Sequence, residues 1–116
     1  MDESVIDLDV LNTLKETIGA DFLNELLSTY YEDTSTQINT LRQALANGDA
    51  ETFRRAAHSL KSNSANFGAM ELSAQARELE FLGKDGNLAD VGAKLDLLEN
   101  EYQKVYDALT RIQDGS

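Results

Sequence analysis

Residues 88–112, LADVGAKLDLLENEYQKVYDALTRI, decide the fold. Leu88, Val91, Leu95, Leu98, Tyr102, Val105, Leu109 and Ile112 recur there in alternating steps of three and four without a break. That spacing places all eight on one stripe of an α-helix, the seam of a bundle or coiled coil. Nowhere does the chain sustain the period of two that a half-buried strand requires. A helix with one apolar stripe must bury it against other helices, and the remaining sequence is expected to supply them.

Working toward the N-terminus, Gly83-Lys84-Asp85-Gly86-Asn87 reads as a break. Before it, Leu72, Ala76, Leu79 and Leu82 mark a fourth helical segment. A third runs from Asp49 to about Phe67, with Phe53, Ala56, Ala57, Leu60, Ser64 and Phe67 on one side. Gly68 follows it as a left-handed C′ glycine would. The second is expected to start at Asp21 and carries Leu23, Leu27, Tyr30, Thr34, Ile38, Leu41 and Leu45, until Asn47-Gly48-Asp49 ends it and caps the next. The first is short. Asp7 or Asp9 caps it, Val10, Leu11, Leu14 and Ile18 form its stripe, and Gly19 stops it. Tyr30-Tyr31 reads as packing at helical spacing. The expected architecture is all-α: an antiparallel up-down four-helix bundle with a short extra N-terminal helix, one domain over residues 1–116.

Composition narrows the function. The 116 residues include no Cys and one His, which excludes disulfides, a Cys nucleophile and a multi-His zinc site within one chain. Ten basic against 21 acidic residues leave a net charge of −11, which repels nucleic acid and anionic membranes alike. No apolar run approaches the roughly 20 residues that span a bilayer. The acidic start Met1-Asp2-Glu3-Ser4 is unlike a signal peptide, so a soluble, cytoplasmic protein is expected. Glu16, Glu25, Glu32 and Asp33 make no ExxH pattern, and Gly83–Asn87 is too short for a calcium loop. Neither a phosphate-cradling glycine loop nor a nucleophile elbow is present.

The third segment carries the chemistry. At ~100° per residue with Phe53 at zero, Leu60 and Ser64 fall within ~20° of it, whereas His58 falls near 140°, off the core. Its helical neighbours are Arg54, Arg55, Lys61, Ser62 and Ala65. Between Thr52 and Met70 there is no acidic residue. The reading is therefore an exposed imidazole on a basic island, with small side chains at 62, 64 and 65 leaving room beside it. An imidazole with a reference pKa of ~6.5 is largely neutral and nucleophilic at pH 7, able to take an activated phosphoryl group. Lys61 would offset the added charge. Without a nucleotide-binding loop, the donor would be another protein. The competing reading is a non-catalytic helical adaptor with an incidental surface histidine.

His58-Ser59-Leu60-Lys61-Ser62-Asn63-Ser64-Ala65-Asn66-Phe67-Gly68-Ala69 resembles the signature of the histidine-containing phosphotransfer (HPt) family. Leu72…Ala76…Leu79-Glu80 resembles that family's next helix, and Leu8–Leu11 and Asp21–Leu23 its opening. The resemblance implies that His58 is the phosphorylated nucleophile and that Lys61 sits beside the phosphate. Ser62 stands where Gly is usual, Glu80 where Gln is common, and Gly68 matches a structural glycine. Lys84 corresponds to a basic rim position. It implies a phosphorelay intermediate with no kinase or ATPase activity, passing phosphate between aspartates of receiver domains, those of a response regulator or a hybrid sensor kinase. No cofactor is expected on this chain; Mg²⁺ belongs to the receiver. A module that binds receivers without turnover is the variant reading. The expected partner surface is Ala65, Phe67 and Met70 at the helix end, with Ile6, Leu8 and Leu11.

Overall fold

Glycine and aspartate divide the chain into five helices in the computed structural model, which describes residues 5–115. They are α1 (Leu8–Ile18), α2 (Ala20–Asn47), α3 (Ala50–Asn66), α4 (Met70–Lys84) and α5 (Val91–Gly115). Among the described residues there is no strand. Asp7, rather than Asp9, caps α1: its Oδ1 accepts the backbone N–H of Asp9 at 3.1 Å and of Val10 at 3.4 Å. Asp49 does the same for α3 through the N–H of Thr52 at 3.1 Å. α3 closes in a Schellman turn, with Ala69 N–H donating to Ser64 O and Gly68 N–H to Ala65 O.

Gly68 meets two demands at once. Its φ is +82°, and a Cβ there would lie 2.6 Å from the carbonyl oxygen of Asp7. This close approach lets Asp7 N–H donate to Gly68 O at 2.8 Å, tying the start of α1 to the α3–α4 turn.

Two boundaries around the α4–α5 connection depart from the sequence reading, and α2 starts at Ala20, one residue before the expected Asp21. α5 begins at Val91 rather than Leu88, because Asp90 takes a left-handed φ of +63° that no helix can pass through. Gly83 belongs to α4 rather than to the break, and it is buried. A Cβ on it would come within 3.0 Å of the Cα and N of Arg54, so glycine lets α4 lie directly against α3.

Neighbouring helices run antiparallel. On α3 and α4, Arg54 meets Gly83 while Lys61, further along, accepts at its carbonyl a 2.9 Å bond from the Ser73 hydroxyl. On α2 and α5, Arg42 donates to Glu99 at 2.7 Å and Asp96 at 2.6 Å, while Tyr31 donates to Gln113 at 2.8 Å. α2 packs on α3 and α5, and α4 packs on the same two, which closes a ring of four with α1 against α2. Inside lie Leu27, Leu41, Phe53, Leu60, Leu79 and Leu98. Each such side chain contributes about 1.5–3 kcal/mol by leaving water. Tyr30 and Ser64 share a buried hydrogen bond of 2.9 Å. Burial pushes the Tyr30 phenol up to about 12 against the opposing pull of that bond. No described helix is long and apolar enough to cross a membrane.

Leu11 and Phe67 correct the expected partner surface. They are 3% and 7% exposed and belong to the core, as does Ile6. α1 lies against α2, with Leu11 buried and Leu14 and Ile18 partly buried beside it. The Phe67 ring packs 4.9 Å from that of Tyr30.

Candidate functional site

His58 stands on the outward face of α3, its side chain 55% exposed, where the helical phase puts it. Across from it, on α4, is Glu80, only 16% exposed. Antiparallel packing at the Gly83–Arg54 contact sets the register that brings them together. Glu80 Oε2 lies 2.7 Å from His58 Nδ1, and Oε1 accepts a 2.7 Å bond from Lys61 Nζ, a side chain 29% exposed. One carboxylate thus bridges the imidazole and the ammonium one turn along.

Partial burial would lift the Glu80 carboxyl, but the bonds and charges of Lys61 and His58 outweigh it and hold it below the usual carboxylate range. An ionised carboxylate can only accept, so Nδ1 is the nitrogen that donates. In the neutral ring the lone pair then resides on Nε2, at the far edge from Glu80. The arrangement presents a solvent-facing nucleophilic nitrogen, with a negative charge placed behind the ring.

The basic island is not bare. Arg54 forms a forked pair with Glu51, Nε to Oε1 at 3.0 Å and Nη2 to Oε2 at 2.7 Å, and Arg55 Nε approaches the same carboxylate at 3.8 Å. Glu51 lies just outside the acid-free window, and Glu80 enters it from another helix. Ser62 is exposed and Ala65 half-buried, one and two turns beyond His58 on its face. Lys84 is exposed one turn past Glu80. Gly68 is buried in the turn, about 15 Å along the axis from His58. Met70 and Leu8 are exposed apolar residues close to that turn.

Of the residues singled out in the sequence, the structure joins His58, Lys61 and Glu80 directly, with Arg54 and Arg55 one turn away. Glu51 and Gly83 are the additions. Glu51 was legible from its i,i+3 and i,i+4 spacing to the arginines. Gly83 was not, because it sits in a glycine-rich stretch that looks like a loop. A cavity of about 300 Å³ lies between α1, α2 and α3, lined by Leu14, Leu26, Tyr30, Asp33, Asn63 and Phe67 among others. Among the described residues no group of three or more His, Asp or Glu side chains is placed to hold a metal ion.

Residues 25–108 match the Hpt domain. The chain is also similar to the crystal structure of histidine-containing phosphotransfer protein B (HptB) from Pseudomonas aeruginosa PAO1. The TM-score is 0.91 at 31% identity, over 97% of this chain and 96% of that one. No curated protein matches it in sequence. With the Hpt match covering most of its length, the chain belongs to the Hpt domain family, whose members are phosphotransfer carriers of two-component signalling rather than kinases.

Proposed function

We propose that His58 is the residue that carries the phosphoryl group, accepting it from an aspartyl phosphate on one receiver domain and passing it to the aspartate of another. The Nε2 lone pair attacks phosphorus, the Nε2–P bond forms, and the P–O bond to the aspartate breaks. The freed carboxylate leaves with the bonding pair. Nδ1 keeps its proton throughout, and the positive charge that develops on the ring faces Glu80. Lys61 is free to turn from Glu80 toward the phosphoryl oxygens. Ser62 and Ala65 keep the approach low enough for a second protein's active site. The Mg²⁺ of the reaction sits on the receiver, and this chain brings no cofactor to it. The receiver belongs to a response regulator or a hybrid sensor kinase.

The observation that carries this reading is the 2.7 Å contact between Glu80 and Nδ1 on a ring more than half exposed. It sets the tautomer and leaves the reactive edge to solvent. The test is incubation with a phosphorylated receiver domain, followed by assay for acid-labile phosphate on the chain. Transfer is expected in the wild type and absent in His58→Gln, with unchanged helical circular dichroism. Label that persists in His58→Gln, or binding without label in the wild type, would refute it.

A further inference from the structure

Arg54 and Glu51 take no part in the transfer scheme above, yet Arg54 stands one turn before His58 on the same face, bound to Glu51. Helical side chains lean toward the N-terminus, so the tip of His58 overlies the preceding turn, which holds Arg54 and Arg55. With Nδ1 tied to Glu80, a group on Nε2 would lie on the side of the ring away from that carboxylate, within reach of that turn. Arg54 is four residues before His58 on the same face, and its backbone is packed against Gly83, which fixes where the side chain emerges. Its bond to Glu51 raises the Arg54 guanidinium above its ordinary pKa, and the charge of Glu80 adds a smaller rise.

We infer that Arg54 is a second phosphate-binding cation of this site, masked by Glu51 until a phosphoryl group on His58 draws it away. The inference rests on the proposed assignment of His58. The exchange is chemically favourable for three reasons. A guanidinium fork fits a phosphoryl group as well as a carboxylate. The phosphoryl group brings close to two negative charges and three acceptor oxygens, against one charge on Glu51. The Arg54–Glu51 pair is solvent-facing, with Glu51 well exposed, and ion pairs of that kind are weak and easily traded. Arg55, held more loosely at 3.8 Å, is the lesser contributor.

The experiment needs no partner protein. The full chain is treated with potassium phosphoramidate: the reagent's P–N bond breaks, the Nε2–P bond forms, and the reagent's protonated nitrogen leaves as ammonia. The phosphoryl group on the chain is then titrated by ³¹P NMR. A cation bound to it favours the dianion. Arg54→Ala is therefore expected to raise its titration midpoint by about 0.5 pH unit, as one charge about 5 Å away in wet surroundings would. Glu51→Gln should lower the midpoint, and Arg54→Lys should restore part of the shift. Glu51→Gln should lower the midpoint less in the Arg54→Ala background than in the wild type, the remainder coming from its own charge and from Arg55. Phosphorylation of the wild type with coincident titrations for all variants overturns the role of Arg54 and leaves His58 standing. Failure of His58 to take the phosphoryl group overturns both. A midpoint raised by Glu51→Gln overturns the masking. Circular dichroism of each variant separates these outcomes from a lost fold.

Discussion

Replacing Glu80 by Gln and by Ala separates the work of its two oxygens. Oε2 engages His58 Nδ1 and Oε1 engages Lys61 Nζ, each at 2.7 Å. Gln keeps one acceptor oxygen, and its amide nitrogen can only donate, so one of the two partners is abandoned. Ala abandons both. A hydrogen bond to a charged group is worth about 1.5–3 kcal/mol when desolvated, and less when its partners reach water. His58 is 55% and Lys61 29% exposed, which brings the working figure to about 1 kcal/mol per bond. Only the His58 bond bears on the rate, because Lys61 leaves Glu80 in the proposed transfer. Glu80→Ala should therefore slow transfer from a phosphorylated receiver about fivefold and Glu80→Gln, which can keep that bond, by less, measured in single turnover. Stability provides an independent check. The folded carboxyl titrates below its unfolded value, so its contribution is complete above about pH 4.3 and is lost as pH falls through the lower folded value. Urea midpoints of wild type and Glu80→Ala should differ at pH 7 and converge in that acid range. Wild-type transfer rates in both variants would show that the carboxylate does not orient the ring.

Two further predictions concern the frame around the site. Gly68→Ala puts a Cβ 2.6 Å from the Asp7 carbonyl on a residue with φ of +82°. The left-handed strain alone costs about 1–2 kcal/mol, and the clash with backbone adds to it; urea unfolding should show at least that loss. At Glu101, burial raises the carboxyl above its ordinary range, Lys104 pulls it back, and Glu71 adds to the rise. Its charge therefore opposes folding at neutral pH, and the opposition fades as pH falls through the raised folded value toward the unfolded one near ~4.3. Glu101→Gln should raise the urea midpoint at pH 7 and lose that advantage near pH 4; a lower midpoint at pH 7 would contradict this.

How much of this was legible in the sequence depends on the range of each interaction. Helical phase is local, so the outward placement of His58 and the inward placement of Phe53 and Leu60 followed from spacing alone. The pairing of His58 with Glu80 is not local. It depends on the register of α4 against α3, which the Gly83–Arg54 contact sets. A buried helix glycine two residues from an aspartate and three from another glycine cannot be told from a loop glycine by pattern. Spacing put Leu11 and Phe67 on the apolar stripes of their helices, yet both were also offered as partner surface; the docking of α1 on α2 and the packing of Phe67 on Tyr30 leave them the inward role. The start of α5 was missed because the seam residue Leu88 continues the spacing, whereas one left-handed aspartate breaks the backbone.

The charge arrangement gives the proposed chemistry its selectivity. Arg54, Arg55 and Lys61 together would make a strongly cationic patch on a chain of net charge −11, open to any phosphate in solution. Glu51 and Glu80 nearly neutralise that patch, and they do so through contacts that the same cations can exchange for a phosphoryl group. Beyond a screening length of ~8 Å the site offers little attraction to a free anion. Positive charge becomes available only to a phosphoryl group delivered to the Nε2 edge, where it displaces the carboxylates one by one. A reactive reagent such as phosphoramidate can bring a phosphoryl group there unaided, whereas the proposed protein donor does so by docking. On the proposed reading, a site built this way attracts free phosphate only weakly and takes its phosphoryl group from a docked receiver.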